Sequence, residues 1–167
     1  MRLVVGIAKD WLIAGTIAVV AWGLWSFMQP APVSDGRAPE MVLPDLRGHE
    51  WDLHADTEAS YYVINFWATW CAPCKKEIPE FTAFAKSAGN VRVVGVSVDE
   101  LPASRVEAEA KKLGIGYLLL HDQTGAVARK WGVSSYPTTV VLDADKNVIA
   151  TRVGMLDRDG LNALIPD

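Results

Sequence analysis

Tyr61 to Trp67 is a short apolar run rich in aromatic and β-branched residues, the pattern of a strand buried on both faces, and it leads directly into Cys71. Cys74 follows three residues later, and these are the only two cysteines in the chain. A helix is expected from about Pro73 to Ala88, with Ile78, Phe81, Phe84 and Ala85 on one stripe. Pro79 lies inside it, removes one hydrogen bond and should kink it. Both sulfurs are therefore placed at the joint between a buried strand and the first turn of a helix. Any fold for this chain has to present that joint.

The surrounding pattern fills in an architecture. Met41 to Leu46 and His49 to Leu53 read as two short strands around Gly48, so a hairpin opens the domain. Val91 to Val98 reads as a second buried strand, ended by Asp99 and Glu100, and a helix from Pro102 to Leu113 is stopped by Gly114 and Gly116. Tyr117 to Leu120 is a short strand and Gly125 to Trp131 a short helix. Thr138 to Leu142 and Val148 to Val153 form a hairpin across the polar turn Asp143 to Asn147, and a last helix covers about Asp157 to Ile165. Strands alternating with helices, then a closing hairpin and helix, imply an α/β domain with a mixed sheet and helices on both faces.

With 167 residues, 50% apolar and 22% charged, the chain holds one packed core and is not a disordered tail. Lys and Arg total 16 against 20 Asp and Glu, a net charge of −4, which leaves no cationic surplus for nucleic acid. Trp11 to Met28 runs 18 residues without a charge. As a helix it would measure about 27 Å, against a hydrocarbon core of about 30 Å. Trp11 lies at one end, Trp22 and Trp25 lie near the other, and Arg2 and Lys9 precede it. The run exceeds the usual apolar region of a cleaved signal peptide, so residues 1–28 are expected to be a cytoplasmic tip and an uncleaved single-pass anchor in the inner membrane. Residues 29–38 then read as an extended linker, and 39–167 as the domain on the periplasmic or extracytoplasmic side, with the lipid bilayer as a partner.

A cysteine pair at i and i+3 on a helix start has β-carbons about 5–6 Å apart, close enough to alternate between dithiol and disulfide. Cys71 falls near the helix N-cap, where unpaired amides and the helix dipole stabilise a thiolate below its free value of about 8.5. Cys74, one turn inside, is the candidate resolving thiol, and Pro73 fixes the turn between them. Other readings stay open on spacing alone. A structural disulfide would close too short a loop to stabilise the domain much. A zinc site would need two of His49, His54 and His121, and a copper site would use the same thiols.

With the strand, the cysteine pair, the proline-bearing helix and Tyr136-Pro137-Thr138 in place, the chain resembles the thioredoxin-like proteins, in particular their membrane-anchored TlpA/ResA-like branch. The likeness rests on the block Asn65 to Pro79, on Gly95-Val96-Ser97-Val98-Asp99 and on Ser135 to Thr139. It implies a thioredoxin-like sheet flanked by helices, with an added N-terminal hairpin and a transmembrane helix. It also implies Cys71 as attacking thiolate and Cys74 as resolving thiol, with their disulfide as the redox group and no other cofactor. Pro137 matches the proline that is cis in these folds and that, with Tyr136, faces bound peptide. Trp70, Ala72 and Pro73 flank the nucleophile on the substrate side. Glu77 matches an active-site carboxylate of this branch; read alone, it would be a solvent-facing residue beside Lys75 and Lys76. Where thioredoxin has a buried aspartate this chain has Asn65, which cannot titrate, so Glu77 is the carboxylate available to Cys74.

The opening hairpin also fits peroxiredoxins, but these carry threonine three residues before the reactive cysteine, and Ala68 stands there. Strong disulfide oxidants of similar fold place histidine before the second cysteine, where this chain has Pro73, which favours a reductant. The expected substrates are disulfides of exported proteins, with cytochrome c biogenesis or copper-protein thiols implied by the resemblance. The expected electron source is a membrane thiol-disulfide donor, and the expected state is a monomer. A thiol-based copper or zinc carrier, or a disulfide oxidant, is the alternative. His49, His54 and His121 read as surface or strand-end residues, Asp99 and Glu100 as a strand end, Trp67 as core, and Lys111 and Lys112 as a solvated helix face.

Overall fold

A computed structural model describes residues 11, 14–24 and 31–166 of the chain. The chain divides into two units, Met1–Pro30 and Ala31–Asp167. In the first, residues 14–24 are helical and exposed. Among the described residues no helix is long and apolar enough to cross a membrane. Positions 12, 13 and 25–28 of the span expected from Trp11 to Met28 lie outside the described residues.

The second unit carries the remaining elements. β1 (Val42–Pro44) and β2 (Glu50–Asp52) form an antiparallel pair of their own. Then follow β3 (Tyr61–Trp67), α1 (Ala72–Ser87), β4 (Val91–Ser97), α2 (Ala103–Lys112) and β5 (Leu118–His121). The chain closes with α3 (Ala126–Lys130), β6 (Thr138–Asp143), β7 (Val148–Val153) and α4 (Arg158–Asn162). The main sheet has the order β5-β4-β3-β6-β7. β3, β4 and β5 are parallel, while β6 runs antiparallel to β3 and β7 antiparallel to β6. The mixed sheet expected from the sequence is therefore present, with its elements shifted by one to three residues at their ends.

Because side chains alternate across a strand, β3 feeds two cores. Val63, Val93 and Val141 meet Phe81 and Phe84 of α1 and Leu161 of α4 on one face. Tyr62, Ile64, Phe66, Val94, Val96 and Val140 meet Ala128 of α3, Trp131, and Met41 and Leu53 beside the hairpin on the other. Burial on both faces is why Tyr62 to Trp67 is apolar at every position but Asn65. A third cluster forms where β3 ends, from Trp67, Ala68, Ile78, Val106 and both cysteines. Helix α2 stops as expected at Gly114, whose φ of +68° a side chain would resist.

The linker expected over residues 29–38 requires a correction from residue 31 onward. Val33 N–H donates to the Trp131 carbonyl at 3.1 Å, and Val33's own carbonyl accepts from the Thr151 hydroxyl. Val148 N–H donates to the Gly36 carbonyl and Ala38 N–H to the Lys146 carbonyl, both at 2.8 Å. Ala38 is buried. A Cβ on Gly132 would stand 2.1 Å from the Ala31 carbonyl oxygen, so that glycine admits the strap. The prolines of this stretch keep it extended, as composition implied. Its backbone groups pair with the β6–β7 hairpin and the end of α3 instead of with water.

Candidate active site

Cys71 is the N-cap of α1, with extended backbone (φ −84°, ψ 103°), and Ala72 and Pro73 are the first two helical residues. Its Sγ accepts the Cys74 N–H at 3.2 Å, a donor the helix start leaves without an intrahelical partner. The two sulfurs are joined at 1.97 Å, with 5.3 Å between the Cα atoms. The pairing fits the helix-start geometry expected of this spacing. Both cysteines are buried as residues, Cys74 completely and Cys71 nearly so.

The surroundings of Cys71 are an apolar rim. Trp70 is 67% exposed and meets the Tyr136 ring edge-on, with centroids 5.8 Å apart. Trp67, by contrast, is fully buried, as its place in the strand implied. Tyr136 packs against the cluster that holds both cysteines, and the Tyr136-Pro137 peptide bond is cis. The Pro137 carbonyl accepts from Gly154 N–H at 2.9 Å, which ties this loop to the end of β7. The structure thus brings Trp70, Cys71, Ala72, Pro73, Tyr136 and Pro137 to the same end of the sheet. That end is the carboxyl edge of the parallel strands, where open α/β sheets commonly present their chemistry.

Glu77 lies one helical turn beyond Cys74, and it is buried, not solvent-facing. One carboxylate oxygen accepts from the Asn65 side-chain N–H at 2.9 Å and the other from the Leu156 backbone N–H at 2.9 Å. Burial pushes its pKa up to about 7, against the pull of those two donors. Lys75, beside it in sequence, turns away to Glu109 at 3.1 Å. Asn65 also donates to the Thr139 hydroxyl at 3.2 Å, so the amide that replaces a titratable group holds Glu77 in place. The Tyr117 hydroxyl is buried and lacks a partner among the described residues. Its pKa is raised by burial and, less strongly, by the charge of Glu77.

Sequence reasoning missed Asp99. It is buried, and its carboxylate accepts from Thr69 N–H at 2.9 Å, from the Thr69 hydroxyl at 2.6 Å and from the Ser97 hydroxyl at 2.8 Å. Thr69 stands two residues before Cys71, so the end of β4 clamps the turn that carries the nucleophile. His121, expected at the surface or at a strand end, is the last residue of β5 and is buried, and its Nε2 lies 2.9 Å from the Asp99 carbonyl oxygen. The available signal was positional: a carboxylate directly after a buried parallel strand neighbouring the cysteine strand sits at the functional edge. The other histidines bond elsewhere, His49 to Asp45 at 3.1 Å and His54 to the Ala38 carbonyl at 3.2 Å. Among the described residues no three His, Cys, Asp or Glu side chains converge as a metal-ligand set.

Comparison with known proteins agrees with this geometry. The signature of the AhpC/TSA family matches residues 35–151. The chain is 30% identical over 151 residues to the thiol-disulfide oxidoreductase ResA of Geobacillus kaustophilus, covering 87% of this chain and 85% of that one. It is 34% identical over 132 residues to the thiol:disulfide interchange protein DsbE of Allochromatium vinosum, covering 77% and 71%. The crystal structure of a thiol:disulfide interchange protein from Chlorobium tepidum superposes with a TM-score of 0.66 at 28% identity, over 81% of this chain and 93% of that one. The chain therefore belongs to the AhpC/TSA family, on a thioredoxin-like fold, among its ResA- and DsbE-type thiol-disulfide oxidoreductases.

Proposed function

We propose that this protein is an extracytoplasmic thiol-disulfide reductase, held at the membrane by its N-terminal apolar segment, that reduces disulfides in exported proteins. The observation that carries the reading is the placement of Cys71 at the N-cap of α1, its sulfur accepting the Cys74 N–H. A thiolate there is stabilised by the helix start, and the thiolate is the attacking species.

In the reduced protein, the Cys71 thiolate attacks one sulfur of a substrate disulfide. The substrate S–S bond breaks, its leaving sulfur takes up a proton, and a mixed disulfide forms. Cys74 then gives its proton to the Glu77 carboxylate and attacks the Cys71 sulfur, releasing the second substrate thiol. A carboxylate with a pKa of about 7 is suited to accept and return that proton near neutral pH. Substrate gains two electrons, and Cys71 and Cys74 end as the disulfide. A membrane thiol-disulfide donor returns the pair to the dithiol. Trp70, Ala72, Pro73, Tyr136 and Pro137 form the rim against which the substrate chain rests. The resemblance to the TlpA/ResA-like branch suggests apocytochrome c or copper-protein thiols as the substrate class.

Equilibration of the full chain with glutathione tests the direction. A potential well below about −180 mV is expected, and one well above it would make the protein an oxidant.

A further inference from the structure

We infer that the groove between Trp70 and α2 is a docking site for an extended, acidic stretch of the substrate protein flanking its disulfide. This rests on the reductase reading and adds a specificity to it. A cavity of about 530 Å³ opens beside the turn that carries Cys71. Trp70 forms one wall, and Leu101 with Arg105, Glu109 and Lys112 forms the other. Positions 105, 109 and 112 are spaced to share one face of α2, and Val106 and Ala110 take its buried side.

Two features of this groove need a partner. The first is apolar: Trp70 is 67% and Leu101 44% exposed, an indole and an isobutyl group facing solvent next to a nucleophile. The second is charge. Glu109, the groove's one carboxylate, is shared between Lys75 at 3.1 Å and Lys112 at 3.2 Å. Glu107, the other acidic residue of α2, is taken by Lys111 at 2.9 Å. The Arg105 side chain makes no hydrogen bond or ion pair among the described residues. The groove's lining therefore sets two cations, Arg105 and Lys112, against one carboxylate in a chain whose net charge is −4. An exposed guanidinium without a partner, beside the apolar wall of Trp70 and Leu101, selects a carboxylate and can hold it by two parallel bonds.

The groove's position chooses between anionic partners. Its first wall is the residue preceding Cys71, so a chain lying in it is continuous with a sulfur at the nucleophile. An extended peptide advances about 3.3 Å per residue, and acidic side chains two to four positions from the target cysteine are assigned to Arg105 and Lys112.

The test uses the full chain and two disulfide peptides of equal length, one with glutamates and one with lysines at those positions. The acidic peptide is expected to show a kcat/KM at least tenfold higher, the gap closing at about 1 M salt, where the screening length is about 3 Å. Arg105→Glu combined with Lys112→Glu should reverse the preference, and Arg105→Gln, which adds no repulsion, should reduce it. Equal rates for the two peptides would overturn the docking site while leaving the reductase intact. Reduction of neither peptide would overturn the reductase reading on which it stands. Phosphatidylglycerol and phosphatidylcholine vesicles supply the remaining arm: a preference for the anionic lipid that is lost on Arg105→Glu, with peptide preference unmoved, would give the groove to the membrane surface and overturn the peptide assignment.

Discussion

The two sulfurs stand one helical turn apart and meet different chemistry. Cys71 sits at the rim, its sulfur on a helix-start amide and its turn clamped to the end of β4 by Asp99. Cys74 is sealed inside, with Glu77, Asn65 and the Leu156 amide one turn below. Electrostatics at the outer position act on charge already present, while the inner position provides a group that moves a proton. In the proposed mechanism this contrast divides the labour of thiol exchange between attack and release, with each residue around the pair serving one half-reaction.

The strongest way to break that division is to remove each sulfur in turn. Cys71→Ser should abolish reduction of a disulfide substrate. Cys74→Ser should keep the attack and accumulate a mixed disulfide, visible by mass spectrometry as substrate bound at Cys71. The reverse pattern would exchange the two roles. Next in size is Glu77→Gln, expected to slow release by about a hundredfold near pH 7 while leaving attack by Cys71 unchanged, with the pH dependence of release flattened. Rapid-mixing kinetics of the two steps measure it, and equal slowing of both would merge the regions that the structure separates.

Burial of Glu77 also makes stability depend on pH. Its folded pKa of about 7 lies above the ordinary 4.5, so between those values the native state holds a proton that the unfolded chain releases. Stability should fall as pH rises through this window, by about 1.4 kcal/mol per unit and about 3 kcal/mol in all, and level off above it. Urea titrations of the oxidised protein at several pH values measure the slope, which Glu77→Gln should remove. The smallest effect is that of Asp99→Ala, which strands the Thr69 amide and two hydroxyls and should cost about 1–3 kcal/mol. It should also alter the pH at which Cys71 is alkylated, while the release step stays as it was.

Much of this was legible from local pattern. The strand entering Cys71, the helix carrying Pro79, the stop at Gly114 and the hairpin around Asp143 to Asn147 each follow from neighbours in sequence. What escaped depends on distant partners. Glu77 follows two lysines and reads as solvated, yet the loop that caps it with the Leu156 amide arrives 79 residues later. Asp99 reads as a strand terminus because its partner Thr69 is 30 residues upstream, and the bond between His121 and the Asp99 carbonyl spans 22 residues. The strap at residues 31–38 escaped for a compositional reason: prolines and small residues carry little apolar signal, and what fixes them is mainly backbone pairing with the hairpin near the carboxyl terminus.

That strap decides where a soluble version of the protein can begin. Cutting at Pro39, the boundary that composition invites, would strip the cover from Gly132 and unpair the Trp131 carbonyl. It would also leave the Thr151 hydroxyl and the amide of Val148 to find water instead. A piece that begins at Ala31 would keep this backing.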